Sequence, residues 1–166
     1  AILFFLFPRH QGNVWGINMK QTAASGFSDT LSLGDVGQII LDKSEAFKVE
    51  FHGDIPERRF LYWRGIVFWR FSGDEWHRGY SAPYMEYEVE GKGPVRYSIT
   101  LQPHLSRWLI SLDLPATGTD DAILYADHTI RRYWAVGQKI HYSLVSYKSV
   151  EPDWLYRWER RALMLP

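Results

Sequence analysis

The chain has 166 residues, 46% of them hydrophobic and 23% charged, with 19 basic side chains against 19 acidic ones and no cysteine. That length suits one domain with a sizeable core, and the composition is that of a folded chain rather than a disordered one. The zero net charge removes the electrostatic footprint of a nucleic-acid binder, and the missing cysteine excludes a disulfide framework, thiolate metal ligands and a thiol nucleophile within the chain. The aromatic content is unusual: 8 Trp, 10 Tyr and 9 Phe make up 16% of the residues.

In chain order, the first element is the apolar run Ala1-Ile-Leu-Phe-Phe-Leu-Phe7, ahead of Pro8 and Arg9. It is far too short to span a bilayer, which takes about 20 helical residues. It lacks the basic start and small-residue cleavage site of a signal peptide. From the residues alone it fits a buried strand or the end of a membrane helix. Glycines at 12, 16, 26, 34 and 37 interrupt the next stretch, with capping-box spacing at Ser32–Asp35 predicting one helical turn near Val36–Ile40.

A period of two then appears. Phe47, Val49 and Phe51 alternate with Lys48, Glu50 and His52, which predicts a strand with one apolar face. Leu61–Phe71 is almost continuously apolar and reads as a long strand bent at Gly65, with Ser72-Gly-Asp-Glu75 as a turn and Trp76 opening the return. Tyr87 and Val89, a connection at Gly91–Pro94, and Val95, Tyr97, Ile99 and Leu101 read as a hairpin. Further strands are predicted at Trp108–Leu112, Ile123–Tyr125, His128–Val136 and Lys139–Tyr147, the last two joined by a tight turn at Val136–Lys139. Many short strands separated by Gly, Pro and Asp predict an all-β body, an antiparallel sandwich or barrel. Glu151-Pro-Asp153, followed by Leu155, Trp158 and Ala162, predicts a short C-terminal helix.

No motif for chemistry emerges. The six histidines at 10, 52, 77, 104, 128 and 141 show no metal-ligand spacing. Gly26-Phe-Ser28-Asp-Thr30 departs from the nucleophile elbow at its last position and has no strand before it. Glu86, Glu88 and Glu90 sit opposite an apolar face, as solvated strand residues do. No metal site, cofactor or catalytic residue is expected. Trp63, Trp69, Trp76 and Trp108 are candidates for a contact surface on a partner or sugar, or else for the core. Exposure of two or more coplanar rings, Trp15 and Trp134 included, would favour binding.

Several segments together resemble one family. Phe7-Pro-Arg9, Trp15-Gly16 and Ser25-Gly-Phe-Ser-Asp-Thr-Leu-Ser-Leu-Gly-Asp-Val36 are similar to the opening of the periplasmic region of TgpA-type transglutaminase-like membrane proteins. The likeness continues through Leu61-Tyr-Trp-Arg-Gly65, Phe71-Ser-Gly-Asp-Glu-Trp76, Tyr97-x-Ile-x-Leu101 and Trp108-Leu-x-x-Leu-Asp-Leu-Pro115. The resemblance implies that residues 1–9 are the end of a membrane helix, 10–150 an antiparallel β accessory domain, and 151–166 a helical connector to a transglutaminase-like core. It implies an inner-membrane parent protein with this domain outside the cytoplasm. The family's Cys-His-Asp triad finds no cysteine here, so the expected role is non-catalytic: positioning that downstream core relative to the membrane. A module binding a cell-wall glycan or peptide is the alternative. Arg64, Asp29 and Asp35 are expected to be structural polar residues that fix the irregular N-terminal segment, because a charge inside an aromatic strand needs a partner.

Overall fold

The structure is a computed structural model that describes residues 27–32, 44–78 and 91–150. The apolar leader at 1–9, the turn near 36–40, Asp35, Glu86–Glu90 and the helix expected over 151–166 lie outside the described residues.

Eleven strands follow one another in the described chain: β1 (Thr30–Ser32), β2 (Phe47–Phe51), β3 (Trp63–Arg64), β4 (Arg70–Ser72), β5 (Glu75–His77), β6 (Gly91–Leu101), β7 (Trp108–Leu109), β8 (Ser111–Leu112), β9 (Ala122–Leu124), β10 (Ile130–Arg132) and β11 (Ile140–Val150). They form four small sheets in the orders β11-β6-β2, β7-β10-β9, β1-β5-β4 and β3-β8, and every pairing is antiparallel. This corrects the expected fold class in two respects. Among the described residues no sheet closes on itself, so they form no barrel. The described residues hold no α-helix, only a single 3-10 turn at Arg58–Phe60, and the C-terminal helix is not part of the fold described.

The sheet β11-β6-β2 supplies one wall of the core. Its apolar face is set by period-two alternation across three aligned strands: Leu101 lies between Ile140 and Phe47, Ile99 between Tyr142 and Val49, and Tyr97 between Leu144 and Phe51. The other face is polar, with the Ser98 hydroxyl 2.8 Å from His52 Nε2 and 2.9 Å from the Ser143 hydroxyl. Against the apolar face pack Leu109, Ile110, Leu112, Leu124, Ile130 and Val136, making one contiguous core. Trp63 adds a ring to its rim, edge-on to Phe47 at 5.4 Å and to Tyr97 at 5.8 Å between centroids.

Residues 108–112 join the layers. Their first half pairs with β10 and their second half with β3, so the strand expected there changes sheet at Ile110. Tyr142 donates its hydroxyl hydrogen to the Ile110 carbonyl at 2.9 Å and accepts from the Ile110 amide at 3.1 Å. Two residues on, the Tyr97 hydroxyl accepts from the Leu112 amide at 2.8 Å and meets the Ser146 hydroxyl at 2.8 Å. Buried backbone groups that leave one ladder before entering the next are thereby satisfied.

Three other expectations are corrected. Leu61–Phe71 is not one strand: β3 ends at Arg64 and 65–69 are irregular. A Cβ at Gly65 would lie 3.1 Å from the Phe27 ring, so the chain there passes under a packed aromatic instead of running in a sheet. Gly91–Pro94 is not a hairpin connection but the start of β6, paired with Tyr147–Val150. Pro94 is tolerated because β2 pairs only with Tyr97–Leu101, leaving that end of β6 without a second neighbour among the described strands. The expected hairpin of His128–Val136 with Lys139–Tyr147 does not form either, since β10 pairs with β7 and β9 while β11 pairs with β6. The predicted turn at Ser72–Glu75 is present, with Gly73 at φ 68 joining β4 to β5, a conformation L-residues resist.

Candidate functional site

Two constellations hold most of the polar chemistry. The first surrounds Arg64. Its guanidinium forms an ion pair with Asp113 through Nη2, with a second bond from Nε at 3.1 Å, and Nη1 reaches the Asp127 carbonyl at 3.4 Å. Asp127 is in turn fully engaged: Oδ1 accepts from the Thr129 amide and hydroxyl at 3.1 and 2.6 Å, and Oδ2 accepts from Trp69 Nε1 at 3.2 Å. His128, only 3% exposed and at φ 60, sits in the field of this group. Burial, and then the Arg64 charge, push its imidazole down to about 4, against smaller opposing effects of Asp113 and Asp127. The cluster ties the irregular 61–69 stretch to the 113–129 loops. Its geometry is that of a structural clamp.

The other expected polar residues lie elsewhere. Asp29 has an exposed side chain, and its carbonyl accepts from the Arg78 amide at 3.1 Å, joining the segment before β1 to the residue after β5. Asp35 lies outside the described residues. Arg64 therefore meets Asp113, 49 positions away, and not either of the aspartates grouped with it from the sequence.

The four tryptophans expected at a contact surface occupy four different settings. Trp63 is half-buried on the core rim, Trp69 is partly buried on Asp127, and Trp108 is 2% exposed. Trp76 is 42% exposed beside Phe71, whose ring lies 5.1 Å away and tilted by 51°. Trp134, after β10, is the most open of the described tryptophans at 72%.

The second constellation is a cleft of about 450 Å³ lined by Phe27, Ser28, Asp29, His104–Trp108 and Arg131. One wall is the stack of Phe27 on His104, with centroids 4.1 Å apart and planes 14° from parallel. His104 Nδ1 accepts from the Ser106 amide at 3.2 Å, and burial lowers the affinity of the ring for a second proton. Leu105 stands at φ 60, held where its amide and that of His104 share the Val136 carbonyl at 3.1 Å. Arg107 and Arg131 bring positive charge to the lining, which also holds Asp29. Arg131 lies 5.4 Å from the Trp108 ring centroid, and Arg78, beside the cleft, lies over the same ring at 4.2 Å. Burial, and next the neighbouring Arg131, hold the Arg78 guanidinium below its ordinary pKa. Sequence reading missed this cleft because Phe27, Arg107 and Arg131 belong to three separate segments, with no local spacing that signals their convergence.

Among the described residues no group of three or more His, Asp or Glu side chains is placed to hold a metal ion, and no helix is long and apolar enough to cross a membrane. The small antiparallel sheets and the missing thiol define a β domain without the thiol centre of a cysteine enzyme. The model of the TgpA N-terminal domain matches residues 1–152, and the chain belongs to that family. It is 32% identical to a protein-glutamine gamma-glutamyltransferase of Pseudomonas aeruginosa, an alignment taking in 99% of this chain and 25% of that protein. Two crystal structures of the periplasmic domain of TgpA from P. aeruginosa, one bound to ethylmercury, superpose with TM-scores of 0.70 and 0.69 at 30% identity. Each covers 86% of this chain, which spans 51% of the crystallised chain. The chain is thus a periplasmic-type, extracytoplasmic domain of a TgpA-like protein. It is the N-terminal domain and not the catalytic part, and it carries no cysteine for a transglutaminase-like centre.

Proposed function

We propose that this domain positions a transglutaminase-like Cys-His-Asp core relative to the inner membrane of its parent protein. One observation carries the reading: a cysteine-free chain aligns over nearly all its length with one quarter of a gamma-glutamyltransferase. The packing is consistent with a rigid spacer, since one core is shared by three of the four sheets and the Arg64 clamp secures the irregular connection across them. The partners in this reading are the core of the same polypeptide and the membrane reached through preceding helices.

The missing thiol makes a direct test practical. A single cysteine at exposed Lys139 labels this domain at one place. With a second label on the core of the parent protein, its own cysteines replaced, pulsed electron resonance reads the distance between them. A rigid spacer gives one narrow distribution. A broad distribution of the kind a flexible tether produces would overturn the positioning role. The second reading, a module that binds a cell-wall glycan or peptide, is favoured by the cleft beside Trp108, whose volume is in the range of small-ligand sites.

A further inference from the structure

The cleft carries a charge pattern that positioning does not require. Arg131 and Arg107 line it, and Arg78 shares the Trp108 ring with Arg131. Among the described residues, no carboxylate lies within ion-pair distance of these three guanidiniums, whereas Arg64 and Arg132 both have one. Asp29, which lines the cleft with an exposed side chain, and Asp127, which gives both its oxygens to Trp69 and Thr129, offset the charge of Arg78 only in part and without pairing with it, since burial and Arg131 outweigh them. A guanidinium stacked on an indole keeps its N–H edge free to donate, and two such groups held over one ring repel each other until an anion lies between them.

We infer that this cleft binds an oxyanion, a carboxylate or phosphate group of a small ligand, held by Arg131 and Arg107 beside Trp108, with the Phe27–His104 wall taking the ligand's apolar part. Bidentate guanidinium bonds to a planar or tetrahedral oxyanion give the affinity, and Arg78 adds positive potential behind them. The inference rests on the second, ligand-binding reading of the domain and supplies its ligand class. The positioning role stands apart from it.

The experiment is a titration of the 166-residue chain followed by NMR at the tryptophan indole and arginine Nε signals, at constant ionic strength in sodium chloride. The probes are inorganic phosphate, N-acetyl-Ala-Ala with a free carboxylate, the same peptide as its amide, and chitotriose. Saturable binding of phosphate or of the free-acid peptide is expected, with the Trp108 and Arg131 signals moving. Whichever of the two binds more tightly identifies the source of the oxyanion. Affinity is expected to fall about tenfold or more in Arg131→Gln, in Arg107→Gln, and on amidation of the peptide. Arg107 is exposed, so its variant tests the site even where a change in β10 disturbs folding. No saturation by either anion up to about 50 mM, far weaker than useful recognition, overturns the inference, as does unaltered affinity in both variants. Chitotriose binding without anion binding overturns the oxyanion while keeping a ligand module. Silence from every probe removes both.

Discussion

Lowering the pH from 7 to 4.5 charges His128 in the unfolded chain but not in the folded one. The group titrates at 6.5 when exposed and at about 4 in the native structure, where burial and then Arg64 disfavour the imidazolium. Between those values the unfolded state binds more protons, so the sign is fixed: stability is complete above 6.5 and is lost as the pH falls toward 4. A difference of that size corresponds to about 3 kcal/mol at full effect, or a melting point lower by roughly 6–12 °C for a domain of this length. His104, also lowered by burial, acts in the same direction. Asp121 acts only at more acid pH: burial raises its carboxyl, but bonds from Arg132 and Thr119 outweigh this and hold it below 3.8, so its contribution disappears beneath the His128 window. The assay is urea unfolding by tryptophan fluorescence at half-unit steps from pH 7 to 4.5, with His128→Asn alongside. Asparagine tolerates the left-handed backbone at φ 60, so the variant removes the proton site without straining the turn. Its pH slope is expected to be well below that of the wild type. A wild-type midpoint that stays level across this range, or an equal slope in the variant, would refute the assigned burial and charge environment.

The Arg64 clamp predicts a coupling of about 1–2 kcal/mol in a double-mutant cycle of Arg64→Leu with Asp113→Asn, a charge-assisted pair discounted because Asp113 is 41% exposed. Coupling indistinguishable from zero would make the clamp decorative, and the same Arg64→Leu change is expected to raise the apparent pKa of His128. Tyr97→Phe removes the acceptor of the buried Leu112 amide and is expected to cost about 1–3 kcal/mol in chemical denaturation; an unaltered midpoint would contradict that bond. Gly118→Ala drives a Cβ into the Ala122 carbonyl, backbone that cannot swing aside, and is expected to lower the melting point by several degrees, roughly 2 kcal/mol or more. A melting point equal to the parent's would show that the 117–122 turn is placed wrongly.

Some of this was legible in the residues and some was not, for physical reasons. Alternation names a face, and the faces of Phe47–Phe51 and Val95–Leu101 were read correctly. It does not name a partner. The strand at Val95–Leu101 found β11 and β2, both distant in sequence. The run Leu61–Phe71 looked like a strand because apolar content does not distinguish a sheet from an irregular segment packed under rings. The requirement that Arg64 be paired followed from the cost of burying a charge. Its partner could not be found by proximity, because Asp113 reaches it only after 108–112 crosses between sheets.

That crossing has a consequence for alignment. The β6–β11 ribbon has no hairpin of its own to set which residue faces which. The hydroxyls of Tyr97 and Tyr142, one from each strand, grip amides two residues apart on the same crossing segment. If either long strand slid by a residue pair, its phenol would miss its amide while the other stayed engaged. The two rings therefore work as a vernier: the ribbon is indexed from its middle by side chains rather than from its end by a turn, and everything attached to its ends inherits that setting.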